Sequence, residues 1–483
     1  MVFNSFLFLI MFLPATLLGF FYFLRKGRQW AILWLIMASF FFYGSWDYRF
    51  IPILLTSILI NYAACKRIIC SPPENRRRWL TAAVIFNLLL LGFFKYANFF
   101  ITTLNDTTAG SITPLNIILP IGISFFTFTQ ISFLVDACHG KIKELNFTHY
   151  LLFVSYFPYI VAGPILHHQE MLPQFAGLSH YPVRGNNFSI GVSLFIFGLG
   201  KKLLIADNLA LALGPVFVAE HPQFFQAWIG ALAYTLQLYF DFSGYSDMAV
   251  GVSLLMGFRI PINFNSPYKA TSISDFWERW HISLSQFLRH YLYIPLGGNR
   301  QGQFRRYRNL LLTMLLGGLW HGANWTFVVW GGLHGLYLCV RHGWQQMMKN
   351  THRQPTRLKN FLSRSVTFVA VVIAWCFFRS PSVASAMHVM AGLIGQNGIS
   401  PVTEINAFAY FMLAAGTFVV FFMPNTNELF LFPESGKEGK PASPSILSVK
   451  WSPSVLWGIA MGFVFALCIL SIERVNDFIY AQF

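Results

Sequence analysis

The sequence predicts an all-α, polytopic membrane protein, and three observations predict it. Of the 483 residues, 55% are hydrophobic and 11% are charged, against about 25% charged in a soluble domain. Apolar runs recur along the whole chain, many of them near the ~20 residues that a bilayer-crossing helix needs. The basic residues sit in alternate connections between these runs, which is the positive-inside pattern.

Taken in order, the apolar runs cover residues 6–24, 30–46, 51–64, 80–94, 115–135, 150–166, 188–199, 225–239, 250–258, 310–340, 366–378, 407–423 and 455–472. Several are too short to cross alone, so roughly ten or eleven crossings are expected, with re-entrant and interfacial pieces besides. The basic stretches "RKGR" (25–28) and "CKRIICSPPENRRRW" (65–79) follow the first and third runs. After the second and fourth come "DYRF" and "TTLNDTTAGSITP", the latter with no Lys or Arg. This alternation places the N-terminus outside and the basic loops in the cytoplasm. Most of the formal charge of +16 is then topology, and nucleic acid is not expected as a partner. The positive charge follows the first run instead of preceding it, so that run reads as a retained span and not as a cleaved leader. Six cysteines without a CxxC pair predict neither a zinc site nor a disulfide framework. The connections are too short to bury cores of their own, and the chain reads as one membrane domain over 1–483.

The most informative polar stretch is "SISDFWERWHISLSQFLRHYLYIPLGGNR" (272–300). Phe276, Trp277, Trp280, Leu284, Phe287, Leu288 and Tyr291 fall close to one stripe at helical period. The pattern predicts one amphipathic helix at the cytoplasmic interface, with Asp275 as N-cap and Glu278 completing a capping-box variant. Pro295 and Gly297-Gly298 stop it, and His281 lies toward its apolar face. In "MLLGGLWHGANWTFVVWGGLHG" (314–335), the polar residues include His321, Asn324 and His334. Basic clusters flank it on both sides (Arg305, Arg306, Arg308; Arg341, Lys349, Arg353, Arg357), so it should cross an even number of times. With glycines near its middle, it reads as a re-entrant hairpin or two tilted short helices that carry His321 deep into the membrane. His321 is then either a core histidine satisfied by backbone carbonyls or a functional group, the default for an intramembrane ionisable residue. A neutral imidazole there has the form a general base needs.

Asp241 and Asp247 stand in the apolar stretch "QLYFDFSGYSDMA" (237–249). Pairing with a buried Lys or Arg, or hydrogen bonding between helices, is the favoured reading. The arginines between 259 and 308 fit positive-inside bias and would also attract the phosphates of a cytoplasmic coenzyme. No P-loop, no GxGxxG after a strand and no G-x-S-x-G elbow is present.

Together, "FDFSGYSDMAVG", "FNSPYKATSISDFWERWHISLSQFLRHYLYIPLGGNR" and "GGLWHGANWTFVVWGGLHG" resemble the membrane-bound O-acyltransferase (MBOAT) family, in its bacterial alginate O-acetyltransferase-like branch. The resemblance implies an MBOAT-like helical core over about 115–345, with peripheral transmembrane helices in 1–100 and 360–483 and a funnel or tunnel around a central histidine. His321 matches the family's catalytic histidine and His281 its second functional position. The coenzyme is expected near Trp277, Arg279, Trp280, Ser283, Arg289 and Asn324. The branch commonly has Arg-Asp-Tyr where this chain reads Arg289-His290-Tyr291, and a basic residue at Glu278. The implied donor is acetyl-CoA as substrate, with no metal and no permanently bound cofactor. The implied partners are membrane lipid and a periplasmic SGNH-hydrolase-like acetyltransferase, in a bacterial inner membrane. The final acceptor is an alginate-like exopolysaccharide, peptidoglycan or cellulose. A transporter or channel, or an envelope scaffold, is the alternative without covalent chemistry.

Overall fold

The computed structural model describes the chain except residues 109, 143, 179–184, 301, 349–355, 401–406, 431–448, 473–477 and 480–483. Lys349 and Arg353 of the expected basic flank therefore lie outside the described residues, as does most of the Pro/Ser/Lys loop near 425–451. Among the described residues all regular structure is helical. The chain forms two compact units, Met1–Phe195 with Met248–Pro261, and Ile196–Asp247 with Ile262–Phe483.

The first unit contains α1 (Leu7–Lys26), α2 (Arg28–Gly44), α3 (Ile51–Cys70), α4 (Pro73–Thr108), α5 (Ile123–Cys138), α6 (Phe147–Ser155) and α7 (His168–Ala176). Gly27, at φ 144°, makes the sharp turn between α1 and α2 that a side chain would resist. The Trp34 indole of α2 then lies against Gly19 of α1 and donates to the Thr16 carbonyl at 2.9 Å. Polar groups join the next helices. Asn61 and Asn87 exchange amide hydrogen bonds at 3.1 and 2.6 Å between α3 and α4, both side chains being buried. Gln130 of α5 donates to Ser57 of α3 at 2.9 Å. Such contacts hold helices together where the surrounding lipid is as apolar as the side chains.

Two expected spans differ here. The run 150–166 is helical only to Ser155 and then turns, because Pro158 and the Gly163-Pro164 pair cannot continue a helix. The run 115–135 is helical only from Ile123, beyond Gly122 in the left-handed region at φ 71°.

Helix α8 (Asn187–Ala210) carries the chain into the second unit, followed by α9 (Phe224–Leu255). The separate runs 225–239 and 250–258 are thus one helix of 32 residues. The polar gap between them closes because each aspartate meets a lysine of α8: Asp247 meets Lys201 at 2.6 Å, and Asp241 meets Lys202 at 2.8 Å. The structural reading of the two aspartates therefore holds. Next come α10 (Ile273–Arg279), α11 (Ile282–Leu288), α12 (Gln303–His321), α13 (Trp325–Met347), α14 (Arg357–Arg379), α15 (Val383–Leu393), α16 (Ala407–Phe422), α17 (Thr426–Phe430) and α18 (Val455–Ser471).

Among the described residues, helices α1, α4, α8 and α14, with Tyr48–Cys70, are long and apolar enough to cross a membrane, and four shorter apolar helices accompany them. The fold is that of an all-α, multi-pass membrane protein.

Helices α12 and α13 form an antiparallel hairpin, so of the two forms considered for 310–340 the chain takes two helices. Glycines set their spacing. A methyl group on Gly331 would strike the Met314 carbonyl, and one on Gly318 the Phe327 carbonyl. Both obstacles are backbone atoms, which cannot rotate aside. Gly331→Ala gains about 0.5–1 kcal/mol of helix propensity, but overpacking a tight contact costs about 1–3 kcal/mol. The variant is expected to melt at a lower temperature in detergent than the parent.

Candidate active site

The hairpin delivers His321. It is the last residue of α12, and Gly322 leaves the helix in an extended conformation. A Cβ on Gly322 would collide with the Phe327 ring, so the tight turn depends on glycine. Asn324 then caps α13 by accepting from the Thr326 amide at 3.0 Å, and its own amide donates to the Pro381 carbonyl at 2.9 Å. The His321 ring is 4% exposed and lies among Trp320 (4.9 Å between centroids), Trp330 (5.0 Å) and Phe378 (5.3 Å).

His281 arrives differently. The expected single helix over 275–291 is broken: α10 ends at Arg279, α11 begins at Ile282, and His281 between them has φ 42°. A non-glycine residue in this region is uncommon and strained. The N-cap also differs from expectation. Ser272 accepts from the Asp275 amide at 3.2 Å, and Asp275 occupies the third helical position, accepting from the Thr271 amide at 3.0 Å. The cap therefore lies three residues before the expected one, with Asp275 in the first turn of α10.

Asn263 holds the His281 ring in place. Its Oδ1 lies 3.1 Å from His281 Nδ1 and also accepts from the amide and the hydroxyl of Ser283, at 3.2 and 3.0 Å. An amide oxygen only accepts, so Nδ1 carries the proton and Nε2 is left as an acceptor. Phe242 packs edge-on against the ring at 4.8 Å, and Trp320 stands 6.4 Å away. Trp320 thus neighbours both histidines.

Of the other residues expected near a coenzyme, Trp277 and Trp280 join this aromatic cluster. Trp277 donates its indole N–H to His334 Nδ1 at 3.3 Å, and Trp280 packs against Trp375 at 5.0 Å. Ser283 braces His281 as described. Arg279 is tied to Asp275 at 2.7 Å, Arg289 is exposed, and Asn324 is spent on the helix cap. His334, Trp330, Trp375, Phe378 and Asn263 belong to the cluster without having been singled out as site residues. Only Trp330 and His334 carried a signal, a polar-tipped pair four apart on one helix face. Among the described residues, no three His, Cys, Asp or Glu side chains converge as a metal site needs.

Two histidines in an aromatic enclosure, one at a helix end and one at a strained break, suit proton transfer in a water-poor site. The comparisons with known proteins decide the family. Residues 123–380, more than half of the chain, match the membrane-bound O-acyltransferase family model. The chain belongs to the membrane-bound O-acyltransferase family. It is 43% identical over 429 residues to a peptidoglycan O-acetyltransferase of Helicobacter pylori, covering 83% of this chain and 81% of that one. A probable alginate O-acetylase of Pseudomonas aeruginosa is 42% identical over 88% of this chain and 80% of its own. Another, from Pseudomonas putida, is 39% identical over the full length of both. The chain is therefore an O-acyltransferase.

In this acyltransferase, α10 and α11 have seven residues each, too short to cross, so His281 lies outside the spanning segments. Burial pushes its pKa from 6.5 down to about 3. The unfolded chain takes up a proton below about pH 6.5 that the folded chain refuses, so stability is full above 6.5 and lost progressively as pH falls toward 3. The slope per refused proton is about 1.4 kcal/mol per pH unit. His281→Asn keeps a polar side chain without that titration. Its detergent melting temperature is expected to fall less than the parent's between pH 7 and 4, and its pH–rate profile between 5 and 8 to keep the parent's shape.

Proposed function

We propose that this acyltransferase moves an acetyl group from cytoplasmic acetyl-CoA across the bacterial inner membrane toward O-acetylation of a cell-envelope polysaccharide. The N-terminus is periplasmic in this reading, and a periplasmic SGNH-hydrolase-like partner completes the transfer. Two relatives are named for acetylating alginate or peptidoglycan, and these are the acceptors proposed here. The observation that carries the chemistry is the His321 imidazole, held at a helix end within an aromatic enclosure that excludes water.

A neutral His321 accepts the proton of the acceptor hydroxyl as its oxygen attacks the thioester carbon. The carbonyl oxygen gains the negative charge. The C–O bond forms, the C–S bond breaks, and the leaving thiolate takes the proton back from the imidazolium. His281, with its proton engaged on Asn263, offers an acceptor at Nε2. That suits orientation of a donor, such as an amide N–H of the coenzyme arm, better than stabilisation of an oxyanion.

The test uses purified protein in detergent with [14C]acetyl-CoA, a periplasmic extract, and de-acetylated alginate oligomers or peptidoglycan fragments. Base-labile label on one of the two glycans is expected. Label on neither, with acetyl-CoA intact, rejects the proposed donor and acceptors together.

A further inference from the structure

The chemistry above leaves one requirement unassigned: N–H donors for the oxygen that becomes negative. We infer that His334, with Trp330 and Trp375, forms the pocket that receives this acyl carbonyl oxygen; the inference rests on the proposed thioester donor.

His334 Nδ1 accepts the Trp277 indole N–H at 3.3 Å, so in the neutral ring the proton is on Nε2 and that atom is a donor. The ring is 0% exposed, and Nε2 has no acceptor among the described residues. The same holds for the indole nitrogens of Trp330 and Trp375, on side chains that are also fully buried. The three rings are neighbours. Trp330 and His334 are 4.8 Å apart, Trp330 and Trp375 5.6 Å, and His334 and Trp375 6.2 Å. Trp330 also packs edge-on against His321 at 5.0 Å.

Three buried donors on neighbouring rings, none with a protein acceptor among the described residues, are costly for a fold to keep. Their complement is a group that accepts hydrogen bonds and donates none. A thioester carbonyl is such a group, and the aromatic walls suit its small methyl. Preorganised N–H groups also gain strength as the carbonyl oxygen turns anionic, because nothing must reorient. Trp277 acts one step back, as a positioning residue. By donating to Nδ1 it keeps the proton on Nε2.

The test compares two non-hydrolysable coenzyme analogues by equilibrium binding: S-acetonyl-CoA, which keeps a carbonyl oxygen, and S-propyl-CoA, which lacks one. The parent is expected to bind the carbonyl analogue about tenfold tighter. His334→Leu is expected to erase that preference while still binding S-propyl-CoA, and His334→Gln, which keeps an N–H, to restore part of it. Trp330→Phe preserves the ring stack but removes one donor, and should reduce the preference without abolishing it. In the transfer assay, His334→Leu is expected to lower kcat by about 10²–10³ and to raise KM for acetyl-CoA by no more than the roughly tenfold preference lost in analogue binding. An equal affinity for the two analogues in the parent, or an undiminished preference in both His334→Leu and Trp330→Phe, overturns the assignment and leaves the donor standing. Failure of the parent to bind either analogue overturns the donor and this inference with it.

Discussion

Replacing His321 by alanine is expected to lower acetyl transfer by about 10²–10⁴-fold, the range typical of a removed general base, while leaving acetyl-CoA binding within a few-fold of the parent. The direction follows from placement. His321 ends α12 at a glycine turn, so its ring is positioned by the hairpin backbone and not by a flexible loop. Loss of the ring takes away edge contacts with Trp330 and Phe378, and some stability with them. His321→Gln, close in volume to histidine but with no basic nitrogen, separates the two effects. It should melt near the parent and still fail in transfer. A His321→Gln enzyme with parental kcat would remove the base from the mechanism.

The largest effect on stability is expected at Lys202. Its ammonium sits 2.8 Å from both Asp207 and Asp241, and all three side chains are buried. The Asp241 carboxylate also accepts from the Ile479 amide at 3.0 Å. A buried cation between two carboxylates is not by itself evidence of net stabilisation, because desolvating the three groups offsets much of their attraction. Removing the cation alone is another matter, since it leaves two buried carboxylates without their countercharge. Lys202→Met is therefore expected to cost about 3–5 kcal/mol, seen as a lower melting temperature in detergent and reduced yield from membranes. Adding Asp241→Asn should recover part of that loss, because one of the stranded charges goes with it. Additive losses in the double variant would mean that the two groups are not coupled.

How much was legible in the sequence depended on the range of the interaction. Helical class and membrane residence came from composition and from the alternation of basic loops, which are properties of the chain summed over many residues. The hairpin was legible because Arg305, Arg306, Arg308 and Arg341 mark both of its ends. The break at His281 was not, since the stripe from Phe276 to Tyr291 keeps helical period across it. At the break the Oδ1 of Asn263, eighteen residues earlier in sequence, gathers the His281 ring and both donors of Ser283, a contact that no local pattern reveals. The run 225–258 was split in two because Asp241 and Asp247 look prohibitive in a helix until Lys201 and Lys202 stand opposite. The contacts of Arg279 with Asp275 and of Asn324 with the cap of α13 were likewise not legible in the sequence. His334 was visible as a polar residue in an apolar run, but its tautomer depends on Trp277, which no local pattern reveals.

In the proposed mechanism one buried imidazole takes the proton of a hydroxyl reached from one face of the membrane while that oxygen accepts the acetyl group of a thioester reached from the other. The most direct measurement reconstitutes the protein in sealed vesicles, selects those with uniform orientation, and loads the cytoplasmic-facing side with [14C]acetyl-CoA. Acceptor glycan and the periplasmic extract are supplied only on the opposite side. This mechanism predicts ester-linked label on that glycan, free CoA retained with the donor, and no label with His321→Gln. Label that crosses as intact acetyl-CoA, or equal labelling by the His321→Gln enzyme, would contradict it.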